Sequence, residues 1–182
     1  NTGTFTANSA TAILQDSRMG TSAYHYRVDS TPMEGMTVGA DYVEFKDVKG
    51  GTGVSVMAQE PVSGSAYITY VYGPASIGIS TSRARFALDN ATDDFISSVE
   101  ARKISGSFNV NDQLSVSAEI EESNPANQNV LTANYTIKAQ GIQAAYTMGG
   151  MTLAIARNTF ENANYTKDSN VVDTVFSVAM AF

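Results

Sequence analysis

The groups in this chain that could do chemistry are few: one histidine, 18 carboxylates, 11 basic residues and no cysteine in 182 residues. Without cysteine there is no thiol nucleophile, disulfide or zinc–thiolate site. His25 could act as a general base only with a hydroxyl and a carboxylate held in line, and no local spacing supplies that geometry. A lone histidine on a strand is more simply a wall residue. Asp93-Asp94 and Glu121-Glu122 could hold a divalent ion near phosphates of a membrane surface. Acids in polar stretches read more simply as solvated loop ends. Asn90-Ala-Thr and Asn164-Tyr-Thr have the spacing of a glycosylation acceptor, which short polar runs produce by chance. Gly149-Gly150 is followed by no helix, so it reads as a hairpin turn and not a phosphate cradle. The expectation is no catalytic residue, no cofactor and no metal; the chain does not read as an enzyme.

What remains is a set of charges with a shared position and no catalytic geometry. Arg27, Asp29, Asp41, Lys103, Glu119, Lys138 and Asp173 each read as lying opposite the apolar stripe of their own segment, among Ser, Thr, Gly and Gln. A dry core would not tolerate these charges without partners. A water-filled lumen hydrates them, and they then bias which ions pass. Arg27, Asp41, Lys103, Glu119, Lys138 and Asp173 are therefore the expected pore-lining residues.

The elements that position them are set by a period of two. Val172, Thr174, Phe176, Val178, Met180 and Phe182 alternate with Asp173, Val175, Ser177, Ala179 and Ala181. Similar alternation runs through Met151–Ala156, Gly141–Tyr146, Leu114–Glu121, Tyr67–Tyr72, Met36–Val43 and Tyr24–Asp29. Such segments are half-buried strands. Three segments blur the pattern. Glu100 and Arg102 share parity with Ile104 and Phe108, and Arg83 and Arg85 share it with Ile77 and Ile79. Either these charges lie beyond an apolar layer or a bulge flips the register. A phase slip is expected between Ile137 and Ile142, near Gly141.

Two kinds of connection alternate along the chain. Short turn sequences occur at Thr31–Gly35, Gly73–Ala75, Asn109–Asp112 and Gly149-Gly150. Longer polar stretches run over Lys46–Ser63, Ala87–Asp94, Glu121–Gln128 and Glu161–Ser169. Short turns at one end and long loops at the other is the arrangement of an outer-membrane barrel. Tyr70, Tyr72, Phe108, Tyr146 and Phe182 sit beside the short turns or at the chain end, where amphipathic rings form an aromatic girdle at a membrane interface.

Composition agrees. With 16% charged and 43% hydrophobic residues the chain is not disordered. A net charge of -7 with scattered basic residues excludes a nucleic-acid face. There is no apolar run long enough for a membrane helix, but barrel strands escape that criterion. The expected fold is all-β, an antiparallel up-and-down transmembrane β-barrel, with about nine strands in residues 21–182 and an extracellular-side loop or partial strand in residues 1–20.

The ending Val175-Phe-Ser-Val-Ala-Met-Ala-Phe182 resembles the C-terminal assembly signal of outer-membrane proteins, carried here by Phe176, Val178, Met180 and Phe182. Together with Asn111-Asp-Gln-Leu-Ser-Val-Ser and Ile142-Gln-Ala-Ala-Tyr-Thr-Met-Gly-Gly-Met-Thr-Leu-Ala, it is similar to the C-terminal part of Gram-negative general porins, those of alphaproteobacteria above all. The resemblance implies a trimeric, 16-stranded porin in the bacterial outer membrane. It implies passive diffusion of small hydrophilic solutes and ions, and insertion by the barrel assembly machinery beside lipopolysaccharide. About nine strands is odd where bacterial barrels are even, so the expectation is that an N-terminal half is missing. The competing expectation is a small structural or adhesive barrel whose loops bind a surface.

Overall fold

The structure, a computed structural model, describes residues 22–48, 59–87, 96–127 and 133–180. The expectations for residues 1–20, Asn90, Asp93-Asp94 and Phe182 lie outside these.

Nine strands follow one another: β1 (Ser22–Met33), β2 (Met36–Lys46), β3 (Val62–Tyr72), β4 (Ala75–Arg85), β5 (Ile96–Asn109), β6 (Leu114–Asn127), β7 (Ile137–Met148), β8 (Met151–Glu161) and β9 (Val171–Met180). They form one antiparallel sheet in sequence order, an up-and-down meander. The period-two sequence dictates this, because alternate side chains of a strand point to opposite faces and a half-buried sheet needs one apolar face. Strand lengths of 10 to 14 residues match what a tilted strand needs to cross a bilayer. The sheet is open: among the described residues β1 pairs with β2 alone and β9 with β8 alone.

The short turns close where turn chemistry expects. Gly149 and Gly150, at φ 55° and 83°, allow Met148 to pair directly with Met151. Two consecutive positive φ values are what a two-residue hairpin turn requires, and glycine adopts them without a steric penalty. At the β5–β6 turn the Asn111 side chain accepts bonds from the backbone N–H of Gln113 (2.9 Å) and Leu114 (2.8 Å). Pro32 lies in β1, at a bulge between Ser30 and Met33, and the first turn itself is Glu34-Gly35.

Three expectations are corrected by the register. Glu121 to Asn127 is not loop but the end of β6, paired residue by residue with Ile96–Lys103 apart from the shift beside Ile96. No bulge interrupts β7: its pairing with β6 runs unbroken from Ile137 to Tyr146, so there is no phase slip at Gly141. Lys138 therefore shares a face with Ile142 and Tyr146 and not with the polar residues opposite them. Apolar Ile137 had suggested the other phase. In β4 and β5, Arg83, Arg85, Glu100 and Arg102 stay on the isoleucine face, in an unbroken register from Arg85–Ser98 to Ala75–Phe108. The bulge alternative fails there, and these charges lie toward the long-loop end of that face.

The sheet has the polarity of a soluble protein turned inside out. Ile77 and Ile79 are 49% and 52% exposed, while Ser76, Gly78, Ser80 and Ser82 between and beyond them are half-buried. The same inversion holds on β8, where Leu153 and Ile155 are exposed and Thr152, Ala154 and Ala156 are half-buried. Curvature explains it. A bent sheet shades its concave face, and here the concave face is the polar one. Conventional burial is almost absent among the described residues: Val48 and Ser98 are buried and Pro61 fully so, with Val48 and Pro61 beside the β2–β3 connection. A sheet that turns most of its large apolar side chains, among them Ile77, Ile79, Ile104, Leu153 and Ile155, outward is stable only if lipid, not water, meets them.

Candidate functional site

The candidate site is the concave face, built by one parity of every strand. Following the register across the sheet, Arg27 faces Asp41, Asp41 faces Ser65, and Ser65 faces Ser82. A second row runs Asp29, Gly39, Tyr67, Ser80, Lys103, Glu121. A third runs Gly78, Ser105, Glu119, Gly141, Asn158, Asp173. Of the expected pore-lining residues, Arg27, Asp41, Lys103, Glu119 and Asp173 thus share one face, and Lys138 is on the other.

Two clusters of charge stand out on this face. In the first, the Arg27 Nε donates to Asp29 Oδ2 at 2.6 Å, and the Tyr67 hydroxyl donates to Asp29 Oδ1 at 2.9 Å. Asp41 accepts from the backbone N–H (3.0 Å) and hydroxyl (2.6 Å) of Ser65, and His25 Nε2 lies 3.9 Å from its other oxygen. Gly39 makes the first cluster possible. A Cβ there would stand 2.5 Å from Tyr67 Cε1 and 2.6 Å from Asp29 Oδ1, so only glycine leaves room for the ring to lie across the sheet.

The second cluster joins Lys103 Nζ to Glu119 Oε2 at 2.6 Å, with Glu121 opposite Lys103 in the register. Gly141 plays a part like that of Gly39. A Cβ there would come within 2.9 Å of Asn158 Oδ1 and 3.3 Å of Glu119 Cγ. Within the nine strands this face carries two basic residues, Arg27 and Lys103, against five acidic ones, Asp29, Asp41, Glu119, Glu121 and Asp173, a net of three negative charges. The remainder is mostly Ser, Thr, Gly, Ala, Asn and Gln, with His25, Tyr67 and several apolar residues, of which Val43, Phe45, Ile137 and Phe160 lie toward the long-loop end, so that most of this face is too small to fill an interior.

The geometry also disposes of two local chemistries. His25, Asp41 and Ser65 are neighbours, but Asp41 stands between the imidazole and the hydroxyl. A nucleophilic triad needs the imidazole in the middle. Glu121 and Glu122 point to opposite faces of β6, so they cannot chelate one ion.

At the long-loop end, the β8–β9 connection folds inward. Its one short helical turn (Ala163–Tyr165) carries the Tyr165 hydroxyl to 2.8 Å from Ser123 Oγ on β6, across β7. Asn162 donates to the Thr136 carbonyl at 3.0 Å and anchors the base of the loop. Sequence reading missed this rim contact, because nothing in a polar loop marks its partner.

Four of the five residues expected to form a girdle lie on the convex face. Tyr70, Tyr72, Phe108 and Tyr146 are all exposed on the apolar side next to the short turns, with Tyr72 at 76%. Phe176, Val178 and Met180 of the expected assembly signal line the same side of β9. A second aromatic group at the opposite end was not anticipated. Tyr26 and Tyr42 stack with ring centroids 6.4 Å apart, near the long-loop end of β1 and β2, with Tyr24 beyond them. Their signal was proximity to the long connections, the mirror of the offset that marked the first group.

No family model and no curated protein matches the chain. Solved structures do. The in-vitro folded form of OmpT, an outer membrane protein of Vibrio cholerae, is similar with a TM-score of 0.55 at 17% identity, over 86% of this chain and 52% of that one. The outer-membrane expressed form of OmpT gives a TM-score of 0.57 at 16% identity, over 86% and 54%. The likeness is one of fold, and the chain spans about half the length of these proteins. The fold is that of an outer-membrane β-barrel, consistent with an outer-membrane location.

Proposed function

We propose that the chain forms wall of a water-filled channel that passes small hydrophilic solutes and ions across the outer membrane by passive diffusion. The observation that carries this reading is the inverted polarity of the curved sheet, with isoleucine outside and serine, glycine and charge inside. Lipid satisfies the first face and water the second. Nine strands are present among the described residues, and about eight already make a barrel that large side chains just fill. An inner face of small residues leaves that space to water.

The charge on the wall sets the direction of selectivity. A net of three negative charges among the strands raises the local concentration of cations and lowers that of anions, so the channel prefers cations. The wall acts through its field alone, without chemistry on the solute.

The test is conductance of the full-length protein in a planar bilayer under a salt gradient. Stable open channels with a cation-signed reversal potential are expected. A protein that inserts but carries no current overturns the channel and promotes the narrow adhesive or structural barrel. An anion-signed potential leaves a channel but overturns the role of these acids.

A further inference from the structure

His25 is the chain's one histidine, and it stands on the concave wall near the long-loop end of β1, with its side chain 55% exposed. Its surroundings are sparse. Across the register its row runs through Val43, Ser63, Ala84, Val99 and Pro125, none of them titratable. The charged groups that face it lie one row nearer the short turns: Arg27 on its own strand and Asp41 on β2, with Ser65 beyond on β3. Asp29 and the Tyr67 hydroxyl follow in the next row. These groups are already committed to one another. Arg27 Nε donates to Asp29 Oδ2, and the Tyr67 hydroxyl to Asp29 Oδ1. Asp41 Oδ1 accepts from both the backbone N–H and the hydroxyl of Ser65. The other oxygen, Asp41 Oδ2, is the one near the imidazole, 3.9 Å from His25 Nε2.

We infer that His25 is a proton-dependent selectivity residue: when it is protonated, the lumen wall loses part of its preference for cations. The inference rests on the channel reading and names what regulates it. Imidazole is the side chain whose ordinary change of charge falls between about pH 5 and 8. Carboxylates ordinarily titrate below that window, and lysine, arginine and tyrosine above it. Protonation gives the ring a second N–H, and the Asp41 oxygen beside it is placed to accept. Before protonation, Asp29 and Asp41 outweigh Arg27 by one negative charge. Afterwards the cluster of four is neutral, and the net of three negative charges on the concave face becomes two. The excess of cations in the lumen follows the charge of its wall, so it falls in step. The long loops mark this end of the strands as the outer side, so the exposed ring meets the pH of the external medium.

The experiment records reversal potentials of the full-length protein in planar bilayers under a potassium chloride gradient, at about pH 8 and about pH 5.5. On acidification the wild type should lose more cation preference than His25→Gln does. The difference should match, within about twofold, the shift that Glu119→Gln gives at the higher pH, because each removes one negative charge from the net of the wall. It should grow as salt is lowered. His25→Arg, charged throughout, should already show that reduced preference at the higher pH. Heat-dependent gel mobility confirms that each variant is folded, and either variant decides without the other. An equal pH shift in the wild type and His25→Gln overturns the inference. So does a His25→Arg channel that keeps the wild-type preference at the higher pH. Either result, with current flowing, leaves the channel itself standing. Absence of current at both pH values overturns the channel and the inference together.

Discussion

Single residues on the concave face are held by what their neighbours lack. Tyr67 lies flat across β2 because Gly39 has no side chain, and it ends on Asp29, which also accepts from Arg27. Gly39→Ala should displace the ring and destabilise the barrel by about 1–3 kcal/mol, the usual cost of overpacking. Tyr67→Ala removes the obstacle, so Gly39→Ala should cost almost nothing in that background. A double-mutant cycle on urea unfolding in lipid measures this coupling. Additive losses would mean that the ring and the glycine do not meet. The sequence shows none of this, since a glycine in a strand is legible only as a weak point, and the identity of the ring above it depends on the pairing of β2 with β3.

At the level of elements, the face of each strand is the quantity that matters. Ile79 and Ser80 are adjacent on β4 yet belong to different solvents. Ile79→Arg should cost about 2–4 kcal/mol of folding free energy into vesicles, because a charge then sits against hydrocarbon. Ser80→Arg should cost little, because water takes the charge. Equal costs would refute the assignment of faces. For β9, Phe176→Ser with Met180→Ser removes two of the outward apolar residues that an assembly factor would read along a strand edge. Less heat-modifiable barrel in the outer membrane at unchanged synthesis is expected, and normal insertion would set the signal elsewhere. The number, order and faces of the strands were largely legible, because period-two alternation and turn residues are local signals. Two elements were not. Glu121–Asn127 looked like loop since both of its faces are polar, which happens where a strand rises past the apolar layer. Lys138 was misplaced because Ile137 beside it is apolar, and parity read from one isoleucine picks the wrong phase. Pairing with β6 settles both.

At the scale of the whole molecule the sheet separates its charges, and that separation makes a prediction that neither residue nor strand makes alone. The concave face is net negative and the convex face net positive, with the sheet itself between them. In the proposed channel only the concave charges would share water with a permeating ion. Lys103 stands there, 2.6 Å from Glu119 and opposite Glu121, and it offsets part of the acidic field. Lys138 stands on the convex face between Glu122 and Glu161 in the register. Lys103→Glu should therefore raise cation preference, and Glu119→Lys should lower it. Both effects should be graded, because a wall charge in a wide aqueous pore is screened within about 8–10 Å at ordinary salt. They should grow as salt is lowered. Lys138→Glu carries the same change of charge as Lys103→Glu one register row away, yet it should leave the reversal potential unmoved. Recording the three variants of the full-length protein in planar bilayers, at low and high salt, makes the comparison. A shift from Lys138→Glu as large as that from Lys103→Glu would mean that permeating ions sense net charge and not the wall, and the assignment of the concave face as the pore would fall.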